Sequence, residues 1–153
     1  MSALLFKITI NAKGTPIMKV QPYLFFDGRC EEALKFYQKV LGAQVIMQMR
    51  FKDSPEPPSA DCGPIPGDKI MHVSFRIGET EIMASDGRNT GKPNFQGFAL
   101  SITAPTEADA DRIFTNLAEG GQVQMPLTKT FFSPKFGMCA DKFGVSWMVL
   151  VAK

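Results

Sequence analysis

Apolar residues recur along the chain with the periods of strands and helices, in an order that occurs twice. In the first copy, residues 20–26 predict a strand, and apolar residues at helical spacing over 31–41 predict a helix that Gly42 ends. Three further strands are predicted at 44–51, 70–77 and 80–85, the last two joined as a hairpin at Gly78-Glu79. The order of elements is therefore βαβββ.

The second copy repeats this order. Strands are predicted at 98–103, 122–125, 135–139 and 145–151, with a helix at 105–118 that Thr106 caps. A shift of 78 positions places Leu24 on Ile102, and a shift of 66 places Gly78 on Gly144. Two offsets indicate one duplicated module with a longer loop in the first copy. Duplicated units of this size commonly enclose something between them, so we expect a site at their shared surface.

Two segments fall outside this repeat. Residues 52–68 carry five prolines and predict a long loop, of the kind that often forms lids or binding loops. Residues 1–17 have no counterpart before the second copy and form an N-terminal extension, in which 4–10 has the composition of an added edge strand. The prediction is one domain over 18–153, made of modules at 18–90 and 95–153.

Composition sets the broad class. At 153 residues and 44% hydrophobic content, the chain suits one α+β domain. The net charge is +2 with no basic run, so no nucleic-acid partner is expected. No apolar stretch approaches the ~20 residues of a membrane span, so no membrane partner is expected either. Three cysteines without paired spacing favour a reducing compartment and a cytoplasmic protein.

Four runs of sequence carry a family resemblance: PYLFFDG at 22–28, EEALKFYQKVLGAQV at 31–45, MHVSFRIGETEIMASD at 71–86 and DKFGVSWMV at 141–149. With the duplication, they resemble the PhnB-like group of the vicinal oxygen chelate superfamily. The resemblance implies two tandem βαβββ modules that form a curved mixed sheet around a cavity, and a homodimer. Members of the superfamily include glyoxalases, dioxygenases and antibiotic-binding proteins, so the fold does not fix the reaction.

The superfamily's catalytic members hold a divalent ion with His, Glu or Gln side chains on four strands. Carried onto this sequence, those positions fall near Gln21, at Ile82 or Met83, at 97–99, and at Met148. Only Gln21 offers a hard donor, and thioethers are poor ligands for Mg, Mn or Fe(II). The resemblance therefore predicts that the usual metal ligands are largely lost and that no cofactor is bound.

The single histidine, His72, lies on a predicted strand and is the candidate for proton transfer or substrate orientation. Ser85 and Asp86, at the end of the next strand, are expected to add a hydroxyl and a carboxylate close to it. The alternative is a hydrogen-bonded sheet histidine with no chemical role, because alternate residues of a strand face opposite sides.

Six residues are candidates for contact with the ligand. Three are polar, namely Gln21, Ser85 and Asp86, and three are aromatic, namely Tyr23, Phe132 and Trp147, although aromatic residues most often serve as core. Arg76 and Arg88 are candidates for contact with an anionic ligand, although arginines of this kind are more often solvated surface residues. Cys30 opens the first helix, where the macrodipole favours a thiolate, but a small buried hydrophobe is the preferred interpretation.

Two functions remain open. In the first, an aromatic-lined cavity holds a small-molecule ligand without a metal. In the second, the protein is a lyase or isomerase of the glyoxalase kind that uses His72 as base, with Gln21 and Ser85 or Asp86 beside it. Methyl transfer is not expected, because the sequence lacks the glycine-rich turn that such a nucleotide cofactor requires.

Overall fold

A computed structural model describes residues 8–57, 60, 63–87 and 91–153. The chain divides into two compact units, the first holding residues up to 38 and 42–91, the second 39–41 and 92–153. Each unit contains one four-stranded mixed sheet built from a βαβββ module, so the predicted α+β fold class is confirmed.

The elements follow the predicted order. In the first module they are β1 (Tyr23–Phe25), α1 (Cys30–Leu41), β2 (Gln44–Arg50), β3 (Ile70–Ile77) and β4 (Thr80–Ser85). In the second they are β5 (Leu100–Ala104), α2 (Glu107–Ala118), β6 (Gln122–Thr128), β7 (Phe136–Ala140) and β8 (Ser146–Val151). The sheet orders are β1-β4-β3-β2 and β5-β8-β7-β6, and in each sheet the first pair is parallel.

The first core lies on one face of the first sheet. Leu24, Val73, Phe75, Ile82 and Ala84 are buried there, as cross-strand neighbours of one another. From α1, Tyr37 stacks on Phe75 with 6.2 Å between ring centroids. Gly42 ends α1 in the left-handed conformation, as predicted.

The second core is packed between α2 and the second sheet. Thr106 caps α2 by accepting a 3.1 Å hydrogen bond from the Asp109 N–H, which confirms the predicted cap. Gly137 marks the closest approach, because a Cβ there would lie 2.8 Å from the ring of Phe114. This contact shows which face of β7 and β8 the helix covers.

The edge strands β2 and β6 repeat even their irregularities. The pairing register shifts between Val45 and Met47 in β2 and between Val123 and Met125 in β6, positions related by the 78-residue offset. Strand β6 runs past its predicted end and through Pro126. An edge strand tolerates proline because, within the described sheet, it pairs with a neighbouring strand on one side only.

The N-terminal extension is covered only in part. Residues 4–7 of the predicted strand lie outside the described residues, and Ile10 makes an isolated bridge with Pro16. The proline-rich loop begins with a short 3₁₀ turn at Phe51–Asp53. Among the described residues, no helix has the length and hydropathy needed to cross a membrane.

Candidate functional site

The face of the first sheet opposite its core carries polar and thioether side chains. Cross-strand pairing puts Tyr23, Met83 and Ser74 in one row across β1, β4 and β3, and Phe25 beside Ser85. His72 pairs with Met49 of β2. Because cross-strand partners point to the same side, these residues share one surface, which we call the polar face.

A hydrogen bond between Tyr23 and His72 organises this face. The Tyr23 hydroxyl lies 2.9 Å from His72 Nδ1, and the two rings are 5.5 Å apart, tilted by 42°. His72 is only 3% exposed, and Tyr23 is half-buried. Two of the predicted site residues are thus brought into direct contact from strands that are not neighbours in sequence.

Both members of the pair favour their neutral forms. Burial lowers the pKa of His72 below its ordinary value, with a smaller opposing effect from the Glu81 carboxylate. Burial also raises the pKa of Tyr23, against an opposing hydrogen bond with Ser85. Ser85, Tyr23 and His72 therefore form a chain of uncharged donors and acceptors at neutral pH.

A second polar group on this face centres on Glu81. Its carboxylate accepts a short hydrogen bond from the Ser74 hydroxyl and pairs with the Lys19 ammonium at 2.9 Å. These contacts lower the pKa of Glu81, the Ser74 hydrogen bond most of all. This group was not predicted from the sequence, although strand alternation places Ser74 on the same face of β3 as His72.

Asp86 lies just past β4, and its carboxylate is occupied by the backbone. Oδ1 accepts hydrogen bonds from the N–H of Gly28 at 2.7 Å and of Cys30 at 2.8 Å. Oδ2 accepts from the N–H of Ile70 at 2.9 Å. With 2% exposure, Asp86 joins the starts of α1 and β3 and holds the end of β4 beside them.

The thiol of Cys30 is buried and favours its protonated form. Burial raises the pKa of its thiol strongly, and the nearby Asp86 and Glu31 carboxylates raise it further. The buried hydrophobe that the sequence favoured fits this environment, because the helix dipole is outweighed by desolvation and by Asp86.

The remaining aromatic candidates belong to the second unit. Trp147 pairs across β7 and β5 with Cys139 and Leu100, on the face covered by α2, and is 2% exposed. Its indole N–H donates to Asp141 Oδ2 at 2.9 Å. Phe132 is 44% exposed and packs edge-on against Phe136, with 5.1 Å between ring centroids.

The donor set does not fit the metal site of the superfamily. Among the described residues, no group of three or more His, Cys, Asp or Glu side chains is placed to hold a metal ion. Gln21 is half-buried just before β1. Two of the other positions that correspond to metal ligands in the superfamily are occupied by Ile82 or Met83 in β4 and by Met148 in β8. Arg88, the second predicted anion contact, lies outside the described residues.

The chain matches a family model described as 3-demethylubiquinone-9 3-methyltransferase over residues 18–150. It is 37% identical to Protein YjdN of Escherichia coli, over 89% of this chain and 97% of that one. Protein PA1353 of Pseudomonas aeruginosa is 39% identical, with a TM-score of 0.76 over 89% of this chain and 98% of its own.

Two further solved structures set the wider context. A Bacillus cereus structure titled as a putative 3-demethylubiquinone-9 3-methyltransferase, PhnB protein, is 31% identical. Its TM-score is 0.73 over 88% of this chain and all of its own. A glyoxalase/bleomycin resistance protein/dioxygenase domain from Frankia is 16% identical, with a TM-score of 0.57 over 91% of this chain and 98% of its own. At that identity the Frankia structure shows a shared fold only.

Proposed function

Because this chain belongs to the PhnB family, we propose that it binds a small organic molecule. The model of this family is described as 3-demethylubiquinone-9 3-methyltransferase, and the fold is that of the glyoxalase/bleomycin resistance/dioxygenase superfamily. The ligand lies on the polar face and is held by side chains rather than through a metal ion. The contact between Tyr23 and His72 supports this proposal most directly.

The chemistry of the polar face defines the class of ligand. Ser85, Tyr23 and His72 present uncharged hydrogen-bonding groups, which suit a hydroxyl or carbonyl oxygen. Met49 and Met83 are half-buried beside them, and thioether side chains adapt to apolar molecules of varied shape. The preferred ligand is therefore an uncharged, largely apolar molecule that carries a polar oxygen.

Two observations favour binding through side chains over the other chemistries of the family and superfamily. At two positions that correspond to metal ligands in the superfamily, this chain has Ile82 or Met83 and Met148, none of which is a good donor for a hard cation. The connections that lead from β1 into α1 and from β5 into α2, residues 26–29 and 105–106, contain a single glycine in total, Gly28. A methyl-donor cofactor would need a glycine-rich turn at such a place, so the proposal is binding rather than methyl transfer.

The chain offers a matched pair of variants for the test, because Tyr23 and Tyr37 are its two tyrosines. Ligand-observed NMR with uncharged phenol and ketone fragments would identify binders to the purified protein. Tyr23→Phe removes the hydroxyl on the polar face and should weaken them about tenfold, the scale of one buried hydrogen bond. Tyr37→Phe removes a hydroxyl on the core side and should leave binding unchanged. Equal effects of the two variants would refute the proposed site.

The second candidate is a lyase or isomerase of the glyoxalase kind. The observation that favours it is the same hydrogen bond, because a neutral His72 oriented by Tyr23 has the form of a general base. The probe is the hemithioacetal of methylglyoxal and glutathione, followed by absorbance. Catalysis predicts that His72→Ala loses ~100-fold or more in rate. Binding alone predicts no turnover in the parent protein, and a loss of fragment affinity in His72→Ala of about tenfold, similar to that of Tyr23→Phe.

A further inference from the structure

A groove of about 470 Å³ lies at the end of the first sheet where β3 turns into β4. It is lined by residues 19–21, Ile46, Arg76 and 79–81, all of the first unit. Neither Tyr23 nor His72 lines it. The groove is therefore a separate feature from the hydrogen-bonded pair described above.

The two cations in the groove, Lys19 and Arg76, differ in whether they form an ion pair. The Glu81 carboxylate is already engaged by Lys19 at 2.9 Å and by the Ser74 hydroxyl. Arg76 stands directly opposite Glu81 in the pairing of β3 with β4, and opposite Gln44 in the pairing with β2. Within the described part of the chain, Arg76 forms no ion pair with a carboxylate.

Apolar surface lies beside this cation. Val20 is 91% exposed and Ile46 is 38% exposed, and both line the groove. A guanidinium presents several N–H donors in a planar fork that matches a carboxylate. Glu79 also lines the groove, and its negative charge disfavours a ligand with two negative charges over one with a single charge.

We infer that this groove binds a small organic monocarboxylate. The Arg76 guanidinium holds the carboxylate, and Val20 and Ile46 contact the apolar body of the ligand. The inference is independent of the function proposed for Tyr23 and His72, because the two features share no side chain that either requires.

Benzoate is the probe for this site, with backbone-amide NMR shifts of the full-length protein as the readout. We expect shifts concentrated at Arg76, Thr80 and Glu81, and an affinity that falls as salt is added. Arg76→Gln should weaken benzoate about tenfold, the scale of one hydrogen bond to a charged group. The matched control is Arg29→Gln, which removes the same charge from the same unit. Arg29 pairs with Glu32 of α1 and lies outside the groove.

Several outcomes would overturn the inference. Equal losses of benzoate affinity in the two arginine variants would show a non-specific charge effect. Benzamide, inorganic phosphate or benzylamine binding as tightly as benzoate would refute the assigned ligand class. No shift at the groove residues at millimolar benzoate would remove the site. Tyr23→Phe should leave benzoate affinity unchanged, so this test and that of the proposed function fail separately.

Discussion

The buried carboxylate of Asp86 provides the sharpest test of how the first unit is held together. It accepts three backbone hydrogen bonds, from Gly28, Cys30 and Ile70, at 2.7, 2.8 and 2.9 Å. Asp86→Ala would leave these donors without their acceptor, the last two of them in buried surroundings. Each buried unsatisfied donor costs about 1–3 kcal/mol, so we expect a loss of about 3–5 kcal/mol in the free energy of unfolding.

Asp86→Asn is the finer perturbation, because it changes one oxygen to an amide nitrogen and keeps the shape. Its carbonyl can still serve Gly28 and Cys30, whereas its NH₂ group then faces the N–H of Ile70. One donor loses its acceptor, so we expect a loss of about 2 kcal/mol. The matched control is Asp111→Asn on the surface of α2, where the Asp111 side chain is 52% exposed and pairs with Lys135. Loss of this ion pair should lower the free energy of unfolding by less than about 1 kcal/mol.

Urea unfolding followed by circular dichroism measures these free energies, and hydrogen exchange locates the effect. In Asp86→Asn, the amide of Ile70 should exchange faster than in the parent protein, while the amides of α2 keep their protection. Asp86 does not hold these backbone groups if Asp86→Asn is as stable as Asp111→Asn and the Ile70 amide keeps its protection. The same conclusion would follow if Asp86→Ala altered only ligand binding.

Three further predictions concern pH, thiol chemistry and packing. Because burial lowers the pKa of His72 below 6.5 in the folded state, the unfolded chain takes up this proton first, so stability should fall as the pH drops below about 6.5. His72→Gln should flatten that dependence in urea unfolding at about pH 7.5 and about pH 5.5, and an unchanged slope would contradict the buried neutral imidazole. Burial raises the pKa of Cys139 to about 11 and that of Cys30 still further. Peptide mapping should therefore find both thiols protected from iodoacetamide until the protein unfolds. Rapid labelling of either thiol in the native protein would refute this protection. Gly121→Ala would place a Cβ 2.0 Å from the backbone oxygen of Ala140. The variant should lose about 2 kcal/mol or more in the free energy of unfolding, seen as a lower melting midpoint. An unchanged midpoint would show that this close approach is not maintained.

The fold was predictable because its signals are local and occur twice. Thr106 directly precedes α2 and accepts from an N–H three residues away, and Gly42 directly follows α1, so short stretches of sequence carried both features. The extension of β6 through Pro126 was not predicted, because tolerance of proline depends on an edge position that only the sheet order reveals.

The candidate site was only partly predictable, because it depends on which face of a strand each residue occupies. Tyr23 and His72 share the polar face, and their contact joins residues 49 positions apart. Trp147 was expected beside a ligand, but its cross-strand partners place it on the face that α2 covers. A shift of one residue along a strand reverses its face, and single-sequence alignment to a family does not fix positions that finely.

The two helices also differ in when they can be completed as the chain is made. The first turn of α2 receives its cap from Thr106, which leaves the ribosome directly before it. The N–H of Cys30, at the start of α1, depends on Asp86, which is 56 residues further along. Non-local closure is slow, so during synthesis the first module should remain incomplete until the end of β4 has emerged, whereas the second can form its helix locally at once.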